Sequence, residues 1–407
     1  MIFKVPDIIC VSRDKVTPKE KPLMYLCLFL WCPTILDLIR VVFFLKTPLL
    51  SEIHLYVIPF TITCLVLLCG SFIIRAVKFW DLVFLLCFVF YYELCFHLYS
   101  SRLSFLETYE ELFILQSLPY YVIGLIIKPY KFKRIFFVAS AFYILYTFVF
   151  YTLMGGGSAN RDMSEEQMYL AYLVLPHLLY VTWYTLTEFS FISLAFILLG
   201  TFELLSYGNR GSVICLAAFF IIFALYRFKE IGNKLVLVII ILSSFIIAFS
   251  YEIVLSLQGF FSSLGLSTRL FDLLVEGEMM SNTSAMARDE IYNRIIQVII
   301  DNGGVPAGFC ADRPLLSDME QLYSHNIVLE ILLTFGYVIG GILLLLFIVL
   351  IIKALKNVRS NEEFCFGAVL FCCSVIKLLV SGTFLSEPML YFFIGYCVSL
   401  IRKKQIN

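Results

Sequence analysis

Residues 325–352 read HNIVLEILLTFGYVIGGILLLLFIVLII. After His325-Asn326 and a single acid, Glu330, the stretch is apolar for long enough to cross the ~30 Å hydrocarbon layer of a bilayer as a helix. Working outward, apolar runs of about 20 residues recur from Leu23 to Ile401. Only 15% of the chain is charged, against about 25% in soluble domains. The expected fold is all-α: a single polytopic membrane domain over residues 1–407 with about twelve transmembrane helices. The spans are expected at 23–45, 53–74, 80–99, 112–127, 134–153, 168–186, 189–206, 212–228, 234–255, 326–352, 364–385 and 388–401. The basic segment before Leu23 leads into a long apolar run without a small-residue cleavage site, so it is read as the flank of a first span, not as a cleaved signal.

Basic residues orient these spans. One alternate set of connecting segments holds fourteen Lys and six Arg; the other holds one Lys and seven Arg. Both termini are therefore expected on the cytoplasmic side of the membrane. The one large polar loop, residues 256–325, falls outside. The loop arginines, Arg269, Arg288, Arg294 and Arg313, come with no lysine. Guanidinium donates two parallel hydrogen bonds and keeps its charge, which suits a surface that grips phosphate. Cys310 alone of the thirteen cysteines lies in an outer loop, so no external disulfide framework is expected.

Within the large loop, Ser262 to Val275 reads as a short amphipathic helix. A polar break follows at Ser281-Asn282-Thr283-Ser284, with Ser284 as N-cap of a helix from Ala285 to Asp301. Arg288, Tyr292, Ile295 and Ile299 share one stripe of it. Asn302-Gly303-Gly304 and Pro306 end it, and an irregular segment leads to His325 at the head of the tenth span. Intramembrane charge gathers toward outer ends: Glu93 and His97 on one helical face, His54, Glu203, Glu252 and Glu330. That placement predicts a polar cavity opening outward. For each acid taken alone, a structural helix-to-helix hydrogen bond is the plainer reading. Asp37 with Arg40 reads as a structural ion pair, and Lys377 needs a partner. Gly336 and Gly340 have the small-xxx-small spacing of close helix contact.

Three elements together resemble the O-antigen polymerase and O-antigen ligase superfamily of bacterial membrane glycosyltransferases. They are Asn209-Arg210-Gly211-Ser212 at an outer helix junction; Ala287-Arg288-Asp289-Glu290-Ile291-Tyr292 followed by Gly303-Gly304-Val305-Pro306-Ala307-Gly308-Phe309; and His325-Asn326 with Gly336 eleven residues after the histidine. They cover roughly residues 205–345. Ligases often carry a second small residue three after that glycine, where this chain has Ile339; this tilts the resemblance to polymerase.

The resemblance implies transfer of a glycan from an undecaprenyl-diphosphate-linked oligosaccharide to a sugar hydroxyl of another lipid-linked unit. It implies no metal and no cofactor, membrane lipids as surroundings, no nucleic acid, and a chain-length regulator protein as partner. The product would be O-antigen of lipopolysaccharide, capsule or exopolysaccharide. The sequence also has no glycine-rich phosphate loop, and its four histidines lack metal-ligand spacing. Candidate catalytic residues are Arg210 and Arg288 on the leaving diphosphate and His325 as base or orienting partner of the acceptor hydroxyl, with Glu252 or Glu330 as the alternatives for that part. Arg294, Arg313, Glu252, Glu330 and Tyr292 are candidates for substrate binding. The alternatives are a ligase acting on a lipid core and a flippase or other transporter. Carriers place their sites near the midplane between related halves, and related halves are not evident here.

Overall fold

The computed structural model describes residues 21–31, 67–99, 102–127, 129–149, 164–227, 250–264, 266, 268, 271–272, 281–317 and 323–402. Helices α1 (Lys21–Trp31), α2 (Gly70–Ala76), α3 (Phe79–Leu98), α4 (Leu103–Leu112), α5 (Leu118–Ile126), α6 (Pro129–Thr147), α7 (Ser164–Thr187) and α8 (Phe191–Ser206) come first. They are followed by α9 (Arg210–Arg227), α10 (Ser250–Ser263), α11 (Ser281–Asp301), α12 (Asp312–Leu316), α13 (Ile327–Lys356), α14 (Asn361–Phe371), α15 (Lys377–Val380) and α16 (Pro388–Arg402). No strand occurs among the described residues. The all-helical expectation therefore holds. Among the described residues, three helical stretches are long and apolar enough to cross a membrane: Phe79–Leu98, Ile327–Lys356 and Asn361–Val380. Shorter apolar helices accompany them.

The main core is aromatic. Trp31, Tyr180, Trp183, Phe366 and Tyr396 are buried together where α1, α7, α14 and α16 meet. Helices α5 and α16 approach backbone to backbone, because a Cβ at Gly395 would lie 3.2 Å from the Gly124 Cα. His177 is buried in this core, stacked on Tyr143 with ring centroids 3.9 Å apart, which is a structural role.

Polar contacts gather the basic segments at one end of the bundle. Arg402 Nη2 reaches Asp81 Oδ1 at 2.6 Å, and its Nη1 donates to the Ala76 carbonyl at 3.0 Å. Lys133 pairs with Glu188 at 3.1 Å and Glu362 at 3.5 Å. The Tyr226 hydroxyl donates to Asn361 Oδ1 at 2.7 Å. Segments around 76–81, 133, 188, 226, 361 and 402, all in the lysine-rich set, thus share one end.

Several expectations change. The 262–275 helix is not continuous: α10 runs from Ser250 through Ser263, and Leu266 and Thr268 are not helical. The Ser281–Ser284 break does not form either. Helix α11 begins at Ser281, so position 284 lies inside the helix and not before its first turn. Hydrogen-bonding polar residues tolerate a helix start as well as a turn, and sequence alone cannot separate the two. The tenth span is not one helix. Gly336 interrupts α13 with φ 74° and ψ 175°, a conformation essentially restricted to glycine. The fold turns so sharply there that a Cβ on Gly340 would sit 3.0 Å from the Ile331 carbonyl oxygen. In a straight helix nine residues span about 13 Å. Gly340 therefore packs against the first half of its own helix, not against a neighbouring one. His54, Asp37 and Arg40 lie outside the described residues.

Candidate functional site: a broken helix at one end of the bundle

The break frees backbone groups that a continuous helix would pair, and each must find another partner away from water. The loop segment 304–308 supplies them. Ala307 N–H donates to the Leu333 carbonyl at 3.0 Å, Gly308 N–H to the Thr334 carbonyl at 3.1 Å, and Tyr337 N–H to the Gly304 carbonyl at 3.0 Å. The Tyr91 hydroxyl adds a bond to the Thr334 carbonyl at 2.7 Å. From outside, Arg102 Nη1 donates to the Ala307 carbonyl at 2.7 Å while its guanidinium lies over Tyr99. A side chain at Gly336 would collide with this segment, with Pro306 N at 2.9 Å and Cδ at 3.0 Å. Gly303, Gly304 and Gly308 all have positive φ. The Gly303–Phe309 segment and Gly336 are thus two halves of one joint.

The twenty residues after Gly336, Tyr337–Lys356, make about 30 Å of helix, a full hydrocarbon thickness. The joint therefore sits at one end of that span, opposite the end that carries Lys353 and Lys356. The first half, Ile327–Phe335, carries the polar head. Asn326 caps it, its Oδ1 accepting from Val328 N–H at 2.9 Å and Leu329 N–H at 3.3 Å.

Around this head lies a buried charge cluster. Arg313, at the start of α12, is fully buried with a side chain 1% exposed. Its Nη1 meets Asp312 Oδ2 at 2.6 Å, and its Nη2 faces Glu330 Oε1 at 3.9 Å. Its guanidinium lies over the Tyr109 ring, 4.9 Å from the centroid, and 5.8 Å from that of Tyr323. Glu330 also accepts from the Thr383 hydroxyl and, at 3.1 Å, from Phe384 N–H. Asp312 accepts from Ser324 N–H at 2.9 Å, immediately before His325. Burial alone would make Arg313 easier to deprotonate, but Asp312 and then Glu330 more than offset it and hold the guanidinium charged. The cluster ties α4, α12, α13 and the 381–387 loop together.

His325 itself is half-buried, 4.4 Å from the Tyr323 ring, with φ 53°. A left-handed conformation costs a side-chain-bearing residue on the order of 1 kcal/mol or more. Burial, then the nearby guanidinium of Arg288, then Arg313, push its imidazole down to about 4. Arg288 is exposed on α11, whose buried stripe is Ile291, Ile295 and Ile299. Arg288 lies at the rim of that stripe and Tyr292 is half-buried beside it.

The candidates thus divide. His325, Arg288, Arg313 and Glu330 come together. Arg313 is bound up in the buried cluster, not presented to a ligand. Arg294 pairs with Glu290 at 2.9 Å, one turn earlier, and its position is rotated about 120° from Arg288 on the helix. Arg210 is the exposed first residue of α9; Asn209 caps that helix, its Oδ1 accepting from Gly211 N–H at 2.8 Å. Asn209 and Ser381 both reach the Tyr172 hydroxyl, so this junction abuts the 381–387 loop. Glu252 lies in α10, and its side chain is outside the described residues.

Other residues expected at an outward cavity have different surroundings. Glu203 is buried and accepts from the Tyr207 hydroxyl at 2.6 Å, while Glu93 and His97 are exposed on the face of α3 turned from the bundle. Lys377 pairs with Glu387 across the loop and lies over Tyr172. Asp312, Thr383, Glu387, Arg102 and Tyr109 were not singled out from sequence. The adjacent opposite charges of Asp312-Arg313 and the polar Ser381-Gly382-Thr383 in an apolar context were the signals available. The chain matches no family model and no curated protein.

Proposed function

We propose that the chain is a membrane glycosyltransferase that joins undecaprenyl-diphosphate-linked oligosaccharide units at the outer face of the bacterial inner membrane. The observation that carries this reading is the joint at Gly336, which puts the half-helix headed by His325, within electrostatic reach of Arg288, at one end of a full-length span. About twelve spans, with both termini cytoplasmic and the 256–325 loop outside, complete the proposal. The gathering of lysine-rich segments at the opposite end supports that orientation.

Arg288 is the exposed cation next to the histidine, and its role is to bind the leaving diphosphate, whose charge grows as the glycosidic bond breaks. His325 orients and finally deprotonates the acceptor hydroxyl. An imidazole near 4 is a weak base in the empty protein. An anion bound at Arg288 cancels one of the causes that lower it. Donor binding thereby raises the basicity of His325 when the base is needed. Arg313, Asp312 and Glu330 position the histidine and do not touch substrate.

A carrier is the less favoured reading, because transporter sites sit at helix breaks near the bilayer midplane. Here the break lies a full span away from the opposite face. The test is a deletion strain complemented with Arg288→Ala or His325→Gln, with the surface glycan run beside the lipid-linked pool. Single repeat units on the surface without a ladder are expected from both variants. Long polymer left on the carrier lipid would indicate a ligase, and units trapped in the inner leaflet a transporter.

A further inference from the structure

Helix α11 has three sides. Successive residues on a helix are turned by about 100°, which sets Ile291, Ile295 and Ile299 together on the buried side. About 120° round from them, Glu290, Arg294, Gln297 and Asp301 form a polar stripe that satisfies itself. Arg294 pairs with Glu290 at 2.9 Å, and Gln297 Nε2 donates to Asp301 Oδ1 at 2.8 Å. The third side is apolar yet exposed. Ile296 and Ile300, one turn apart, are 41% and 53% exposed, and Val305 just beyond the helix is 64% exposed. In the preceding turns the same side carries Asp289 and Asn293, so the apolar strip is confined to the C-terminal end. A helix packed on a protein in water needs only two sides, one buried and one polar.

The end of the helix identifies what covers the third side. Gly304 N–H donates to the Ile299 carbonyl at 2.9 Å, and the Gly304 carbonyl accepts from Tyr337 N–H at 3.0 Å. Two backbone hydrogen bonds thus join the last turn of α11 to the first residue of the full-length span Tyr337–Lys356. The approach is close, since a Cβ at Gly304 would strike the Tyr337 ring. Tyr337 and Val338 are themselves exposed, so the apolar strip of α11 runs on into the outward surface of that span. We infer that the C-terminal half of α11 docks on the bilayer, with Ile296, Ile300 and Val305 seated in the acyl chains of the leaflet at the end opposite Lys353 and Lys356. The polar stripe then faces headgroups and water. Apolar faces of interfacial helices enter a leaflet by ~5–10 Å, a depth that side chains next to the head of a span can reach. The inference requires a membrane around the Tyr337–Lys356 span but not the glycosyltransferase reading. It has a consequence for that reading: Arg288 lies eight residues, about 12 Å of helix, before Ile296, so the seat limits how far Arg288 stands from the lipid surface.

The test uses the full chain in vesicles of phosphatidylethanolamine and phosphatidylglycerol. An environment-sensitive fluorescent amino acid is placed singly at positions 300, 301 and 338 by codon suppression; all three are exposed, so the fold is not at stake. Position 338, on the span, sets the signal of a lipid-facing site. The probe at 300 should lose most of its emission when the acyl chains carry bromine, as at 338, and little to acrylamide in the water. The probe at 301, on the polar stripe, should show the reverse. Acrylamide quenching at 300 as strong as at 301 would overturn the inference, because that side would then face water. Protection of position 300 from both quenchers would overturn it as well, because a protein surface would then cover the strip.

Discussion

Gly336→Ala separates a broken helix from a straight one by the sign of its effect. In a straight apolar helix the exchange would stabilise, by up to about 1 kcal/mol. At φ 74° and ψ 175° the new Cβ instead costs ~1–3 kcal/mol in backbone strain. It must also displace Pro306 and the Gly304 carbonyl, at a further ~1–3 kcal/mol. A local loss of about 3 kcal/mol is therefore expected, concentrated on the docking of segment 304–308. Cys310 reports that docking. It is buried, and burial pushes its thiol up to about 12, so in the closed state it is neither accessible nor ionised. When opening and reclosing are fast, its labelling by a water-soluble maleimide tracks the open population. A 3 kcal/mol loss corresponds to roughly a hundredfold faster labelling of the Cys310 peptide, read by mass spectrometry. Gly341→Ala is the control, because a Cβ there meets nothing within 4 Å, and its labelling should stay at the parent rate. Equal Cys310 labelling in the two variants would refute the joint.

Three further outcomes are expected. Arg313→Met should leave Asp312 and Glu330 buried without their cation and destabilise the protein by ~3–5 kcal/mol, seen as lost thermal stability in detergent, whereas Arg288→Ala, at an exposed position, should change stability by less than about 0.5 kcal/mol while abolishing polymer. Arg288→Lys should also fail to make polymer if bidentate contact matters; full activity would reduce Arg288 to a simple charge. For His325, the folded pKa of about 4 lies below the unfolded value near 6.5, so the folded state binds fewer protons between them. Stability should fall as pH drops through that window by about 2 kcal/mol, after discounting for partial exposure. His325→Gln should remove this slope, and pyrophosphate should shift the His325 titration upward in NMR; an unmoved titration would disconnect Arg288 from the histidine.

The helical class was readable because apolar runs of span length have few other uses. Asn302-Gly303-Gly304 as a helix stop follows from local chemistry that the structure repeats. What local chemistry does not carry is the pairing of distant segments. Gly336 looked like a packing glycine because its reason for being glycine sits at Gly304–Pro306, some thirty residues earlier in the chain. Lys377 had no partner in sequence because Glu387 reaches it only across the turn at 381–386. Arg313 resembled a phosphate ligand for the same cause. Its type was right for phosphate, but it is buried and paired with Asp312 beside it, with Glu330, seventeen residues on, facing it at 3.9 Å.

The charge bookkeeping of the cluster explains why the site residues separate into two tiers. Asp312 pairs one to one with Arg313, so the buried cluster carries no spare positive charge with which to attract a diphosphate. Affinity for phosphate must then come from guanidinium groups that face solvent, and Arg288 is the one set against His325. The cluster serves instead to hold geometry. Through Ser324 N–H it fixes the residue before His325, and through Thr383 and Phe384 N–H it ties the half-helix to the loop before α16. A histidine kept in the left-handed region by such a network is strained where strain has no structural purpose. His325→Gly would relieve the backbone without disturbing Asp312 or Glu330. If the position were only a cap, that exchange should leave polymer intact. The arrangement at Arg288 requires instead that the protein become no less stable and yet lose its ladder.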